Sequence, residues 1–118
     1  MECAMSTEAA LAIVATEWFK TQRRLSRLTQ DATPDRIERE RAQLAYTQRR
    51  VQDALAQAGM RLVLYDGLAY SPSIPAEPAN PEDFETEEGL VVLETIEPTI
   101  VHNGRVLARG RVVLAMGQ

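Results

Sequence analysis

Few side chains in this sequence are able to do chemistry. There is one histidine, His102, and one cysteine, Cys3. They lie at opposite ends of the chain, so nothing points to a thiol–imidazole pair, a cysteine-based zinc site or an intramolecular disulfide. Cys3, beside the N-terminus, reads as a bystander, and His102, beside a predicted hairpin turn, as a surface residue. Six carboxylates fall between Glu77 and Glu88 with no basic residue among them. They lack the ligand spacing and central glycine of a calcium loop, which leaves a solvated acidic flap as the expectation. No glycine-rich phosphate loop is present. The sequence therefore reads as a binding protein and not an enzyme, with no catalytic residue, cofactor or metal expected.

Eight arginines (Arg23, Arg24, Arg27, Arg36, Arg39, Arg41, Arg49 and Arg50) could form a phosphate-binding surface. Glu38, Glu40 and Asp53 lie among them, however, as on an ordinary exposed helix face. Residues 1–59 carry nine Lys+Arg and eight Asp+Glu, a net of +1, whereas residues 60–118 carry four and nine, a net of −5. The overall charge of −4 argues against nucleic acid as the main partner. The apolar run Ala9–Ala15 is short and has no basic segment before it, so neither a signal peptide nor a membrane span is expected, and a cytoplasmic location follows.

The elements that must position a binding surface divide the chain in two. Ser6 or Thr7 can cap a helix running to about Gln30, with Leu11, Val14, Trp18, Leu25 and Leu28 at helical spacing, Ala10 and Ala15 widening the stripe and Phe19 at its edge. A second helix starts with Thr33 as N-cap and Pro34 at the first helical position. Ile37, Leu44, Val51 and Ala58 repeat along it, and Gly59 stops it. The short Asp31-Ala32-Thr33 connection predicts an antiparallel hairpin over residues 1–59. Its stripes are wide enough that a second hairpin is expected to join them, giving a four-helix bundle from two chains. The residues expected at that dimer interface are Leu11, Val14, Trp18, Leu25, Leu28, Ile37, Leu44 and Val51. The alternative is that the stripes pack on the chain's own β-region.

Residues 60–118 change period. Arg61–Tyr65 alternates, with Leu62 and Leu64 on one face, and turns at Asp66-Gly67; Leu90–Ile96 is an apolar strand. Thr99–His102 and Arg105–Leu114 form a hairpin about Asn103-Gly104, the pair best suited to a two-residue type I′ turn. This register pairs Val101 with Val106 and Ile100 with Leu107. In the last strand Val106, Ala108, Gly110, Val112 and Leu114 should face the core, with Gly110 where another segment comes close. Ser71–Gly89, with Pro72, Pro75, Pro78 and Pro81, cannot be a central strand and reads as a solvated loop. The fold class is α+β: a helical hairpin, then a small β-rich domain.

This order of parts resembles the GrpE family, the dimeric nucleotide-exchange factors of DnaK-type chaperones. The residues that carry the resemblance are Gly59-Met60-Arg61-Leu62-Val63, Pro72, Val92-Leu93-Glu94-Thr95-Ile96, Asn103-Gly104-Arg105-Val106-Leu107 and Val112-Val113-Leu114. From Gly59 to Leu114 the spacing fits a typical member, while the helices fit in type and length. There are departures. The family's Asp-Pro and His-Glu-Ala stretch is here Ser71-Pro72-Ser73-Ile74-Pro75-Ala76-Glu77, so the family histidine falls on Pro75. The Gly-Tyr pair before the hairpin is Thr99-Ile100, and the family's arginine after its Val-Ile pair falls on Ala108, with Arg109 one place later and on the opposite face. Family members also begin with a long helical stalk, whereas five residues precede the first helix here, so contacts made through the stalk are expected to be missing.

The resemblance implies a homodimer whose β-domains act as wings, one gripping the nucleotide-binding domain of a DnaK-type ATPase and promoting ADP release. It implies partner contacts at Tyr70, Pro72, Asn103, Gly104 and Arg105, and a co-chaperone role in protein folding. The alternatives are a dimeric interaction or assembly module without exchange activity and, behind it, nucleic-acid binding through the arginine-bearing helices.

Overall fold

The protein, described here by a computed structural model over residues 6–28, 33–86 and 88–117, consists of two compact units, Met1–Arg61 and Leu62–Gln118. Cys3 and the Gln30-Asp31-Ala32 part of the helix connection lie outside the described residues.

The first unit holds α1 (Thr7–Leu28) and α2 (Pro34–Gln57), which contact one another. Ser6 caps α1: its Oγ accepts a 3.0 Å hydrogen bond from the Ala9 N–H, satisfying one of the orphan donors of the first turn. Glu8 in the first turn and Arg27 in the last complement the helix dipole. Thr33 occupies the N-cap of α2 with extended backbone, but its side chain makes no capping bond. Pro34 begins the helix with φ already set, so the cap is formed by backbone alone. At the other end Gly59 adopts φ +74°, and its N–H donates to the Ala56 carbonyl at 2.9 Å.

The buried line of α1 differs from the expected seam. Ala12, Ala15 and Phe19 are buried, at i, i+3 and i+7 on one face. Leu11 and Trp18 are half-buried, whereas Val14, Leu25 and Leu28 are exposed. The seam is thus rotated by about one residue, or roughly 100° of helix, relative to the larger side chains. Two alanines permit a closer approach than leucines would, which is the physical sense of the shift. On α2, Leu55 is buried and Ile37, Leu44 and Val51 are half-buried on the expected face.

After the helices the described residues form six strands: β1 (Met60–Val63), β2 (Ala76–Pro78), β3 (Leu90–Glu97), β4 (Thr99–His102), β5 (Arg105–Ala108) and β6 (Gly110–Met116). They form two three-stranded sheets, in the orders β1-β4-β5 and β2-β6-β3. The chain crosses between sheets three times, between β1 and β2, at the buried Pro98 and at Arg109, so the expected long strand Arg105–Leu114 is two strands in different sheets. The core gathers Tyr65, Ala76, Leu90, Val92, Val112 and Leu114, with Val63, Tyr70, Ile74 and Phe84 packed against it.

Four further expectations are corrected. Val106 is exposed, because β5 is an edge strand with no layer over it, although Gly110, Val112 and Leu114 do face inward. Ile100 pairs with Ala108 instead of Leu107, because a bulge follows the Val101–Val106 pair. β1 ends at Val63, so alternation does not continue: Leu64 is exposed and Tyr65 turns into the core. Finally, Ser71–Gly89 is not simply a solvated loop. Ala76–Pro78 forms an edge strand parallel to β6, Pro81–Asp83 a 3-10 turn, and Phe84 packs on the core. Proline is tolerated at that edge because its missing N–H faces away from the ladder.

Candidate partner-binding surface

The hairpin tip follows from its sequence. Asn103 has φ +50° and Gly104 φ +82°, the pair of left-handed residues a type I′ turn requires. His102 pairs with Arg105 across the turn and Val101 with Val106. Asn103 Nδ2 lies 3.3 Å from His102 Nε2, so the amide can donate to a neutral ring that leaves that nitrogen unprotonated. Arg105 is exposed, and among the described residues no carboxylate pairs with it.

The other residues expected to meet a partner, Tyr70 and Pro72, sit elsewhere on the unit. The Tyr70 N–H donates to the Leu90 carbonyl at 2.9 Å, at the start of β3, and its side chain is half-buried against the core. Pro72 is exposed in a turn closed by the Ile74 N–H on the Ser71 carbonyl at 3.1 Å and by the Ser73 N–H on Ser71 Oγ at 3.2 Å. The hairpin instead extends from the far end of β4. The two groups are therefore carried by different elements, one at the β3 start and one on the β1-β4-β5 sheet.

What stiffens the base of the hairpin is a buried polar chain that sequence reasoning did not find. The Tyr65 hydroxyl donates to Thr99 Oγ1 at 2.8 Å, and Thr99 Oγ1 donates to the Pro75 carbonyl at 2.7 Å. The same carbonyl accepts from the Gly110 N–H at 3.0 Å. Thr95 Oγ1 accepts from the Tyr65 N–H at 2.9 Å. Among the described residues no buried side-chain polar atom is left without a partner, as a chain of this kind must achieve to stabilise a core. The threonines looked like ordinary β-formers; the only available signal was polar residues at Thr95 and Thr99 inside an otherwise apolar run.

Asn80 supplies a second clamp. Its Nδ2 donates to the Leu114 carbonyl at 3.1 Å and its Oδ1 accepts from the Leu114 N–H at 3.0 Å, so the side chain imitates a neighbouring strand. Beside it, Pro78, Pro81, Phe84, Glu85, Thr86, Leu90 and Leu114 line a notch of about 200 Å³, below the roughly 300 Å³ at which small-molecule pockets begin.

On the helices, Arg23 stacks over the Phe19 ring at 4.8 Å, and Arg50 lies 6.0 Å from the Tyr46 ring. Arg24, Arg27, Arg36, Arg39, Arg41 and Arg49 are exposed. Among the described residues no group of His, Cys, Asp and Glu could hold a metal ion, and no helix is long and apolar enough to cross a membrane.

The chain matches no protein-family model, and no curated protein or solved structure is significantly similar to it.

Proposed function

We propose that this chain acts as a homodimeric exchange factor or adaptor of the GrpE kind, binding the nucleotide-binding domain of a DnaK-type ATPase and promoting ADP release. The observation that carries the reading is the hairpin tip: an unpaired guanidinium, Arg105, held beside a rigid Asn103-Gly104 turn. A guanidinium of that kind suits bidentate capture of a carboxylate on the ATPase. No bond chemistry is asked of the chain. It needs only to bind the open form of the nucleotide cleft more tightly than the closed form, which shifts the population toward ADP loss.

Dimerisation is the second part of the proposal. The exposed Val14, Leu25 and Leu28 continue the apolar face of α1 beyond the line it buries, and a second copy of the hairpin would cover them.

One observation favours a module that binds without exchanging nucleotide. The stretch where the family has its histidine is committed here to internal structure, since the Pro75 carbonyl accepts from both Thr99 and Gly110.

Release of fluorescent ADP from a DnaK-type ATPase of the same organism separates the two. The exchange reading expects release to accelerate with added chain and Arg105→Glu to remove most of the effect. Stable binding with an unchanged release rate supports the module, and neither binding nor acceleration removes both.

A further inference from the structure

A sheet edge is a row of unpaired backbone donors and acceptors, and folded proteins cover or spoil such rows. The β2-β6-β3 sheet is guarded on both sides. Along the outer edge of β3 the Gly67 and Tyr70 N–H groups donate to Val92 and Leu90 at 2.8 and 2.9 Å, and the Val92 N–H donates to Leu68 at 2.8 Å. On the opposite edge β2 contains Pro78, which has no N–H to offer.

β5 has no such cover. It is the last strand in the order β1-β4-β5, and among the described residues no backbone hydrogen bond reaches Arg105–Ala108 from outside its ladder with β4. His102 and Arg105 close the two-residue turn as a hydrogen-bonded pair, which directs the N–H and C=O of the next residue, Val106, outward. Consecutive strand residues face opposite sides. Val106 remains 49% exposed and Leu107 39%, so neither face of the strand is covered.

We propose that the outer edge of β5 takes up a short extended segment of a partner protein that has carboxylates flanking an apolar pair. Backbone pairing would supply affinity, and Val106 and Leu107 would supply side-chain contact, as in other cases of strand addition. Charge decides the occupant. Arg105 opens the strand and Arg109 follows it. A second copy paired antiparallel about Val106, whose backbone groups face outward, would bring the two Arg105 side chains together as diagonal neighbours on one face, and like charges at that range are destabilising. A carboxylate facing Arg105 is attracted instead. Arg109 Nε is already 3.4 Å from Glu77 Oε1, so Arg105 does most of the selecting. The bulge opposite Leu107 and Ala108 limits the pairing to a few residues. This edge would work whether or not the chain promotes ADP release.

The test is an amide-resolved NMR titration of the full chain with three synthetic peptides. One is an acetylated Glu-Val-Thr-Val-Glu segment, the second has lysine in place of both glutamates, and the third is the glutamate peptide with N-methylated backbone amides. The glutamate peptide is expected to shift the Val106 amide and slow its hydrogen exchange. The lysine peptide should bind at least about tenfold more weakly, as expected where charge sets specificity. The N-methylated peptide should lose binding with the protein itself untouched. Arg105→Glu should reverse the order of the first two. Absence of binding by the glutamate peptide, equal affinity for glutamate and lysine peptides, or indifference to N-methylation would each overturn the proposal.

Discussion

The Tyr65 hydroxyl donates a 2.8 Å hydrogen bond to Thr99 Oγ1, joining residues separated by 34 positions at the point where the chain passes from one sheet to the other. Thr99 then hands its own proton to the Pro75 carbonyl. Three segments distant in sequence are fixed by one hydroxyl, and the arginine-bearing hairpin grows directly from that anchor.

Removing each member of the pair should have unequal effects. Tyr65→Phe leaves Thr99 bonded to Pro75 and should cost about 1 kcal/mol, the net worth of one hydrogen bond. Thr99→Val leaves the buried Tyr65 hydroxyl without an acceptor and should cost more, up to about 3 kcal/mol. Urea unfolding monitored by tyrosine fluorescence checks the order, and equal costs would contradict the chain of bonds described.

Two glycines offer a second contrast. A Cβ at Gly110 would lie 2.8 Å from the Glu97 carbonyl and 2.9 Å from Thr99 Oγ1, whereas one at Gly104 would meet nothing within 4 Å. Gly110→Ala must therefore move backbone, and should destabilise by more than about 2 kcal/mol. Gly104→Ala is strained only by its φ of +82° and should cost about 1 kcal/mol. Thermal melts of the two variants, compared with the parent, provide the measurement.

Asn80→Ala should loosen the proline-rich segment without unfolding the unit. It removes both side-chain bonds to Leu114, at about 1–3 kcal/mol for the Leu114 groups left unsatisfied. Hydrogen exchange should accelerate at the Leu114 amide and at Ala79, which donates to the Val112 carbonyl at 2.8 Å. Unchanged exchange at both amides would show that β2 and Pro81–Asp83 are held by something other than this clamp.

The sequence was most legible where a single local rule acts. Asn103-Gly104 specified its turn, Gly59 its helix stop and Ser6 its cap, because each depends on a few neighbouring residues. Legibility failed where long-range geometry intervened. Thr95 illustrates it: alternation from Leu90 and Val92 points it outward, but the register shift between Val92 and Glu94 turns it into the core. A bulge has no dependable sequence signature, and an error of one residue reverses every face after it. Likewise β2 could not be read from Ala76-Glu77-Pro78, since its strand character comes from β6 and not from its own residues. The helix seam was misplaced for a related reason: large side chains suggested it, but close packing selected Ala12 and Ala15. Of the candidate partner surface, the hairpin was visible as a motif, whereas its separation from Tyr70 and Pro72 depends on topology.

The central claim is that the open apolar side of α1 is covered by a second copy. Covering Val14, Leu25 and Leu28, which retain 63%, 46% and 71% exposure, should contribute about 1 kcal/mol each, roughly half the value of full burial. Sedimentation equilibrium at micromolar concentration tests this directly. The account predicts a species of twice the 13.1 kDa chain mass that reverts to a folded, helical monomer in the Val14→Glu, Leu25→Glu double variant. A parent chain that sediments as a stably folded single protomer at that concentration would contradict it.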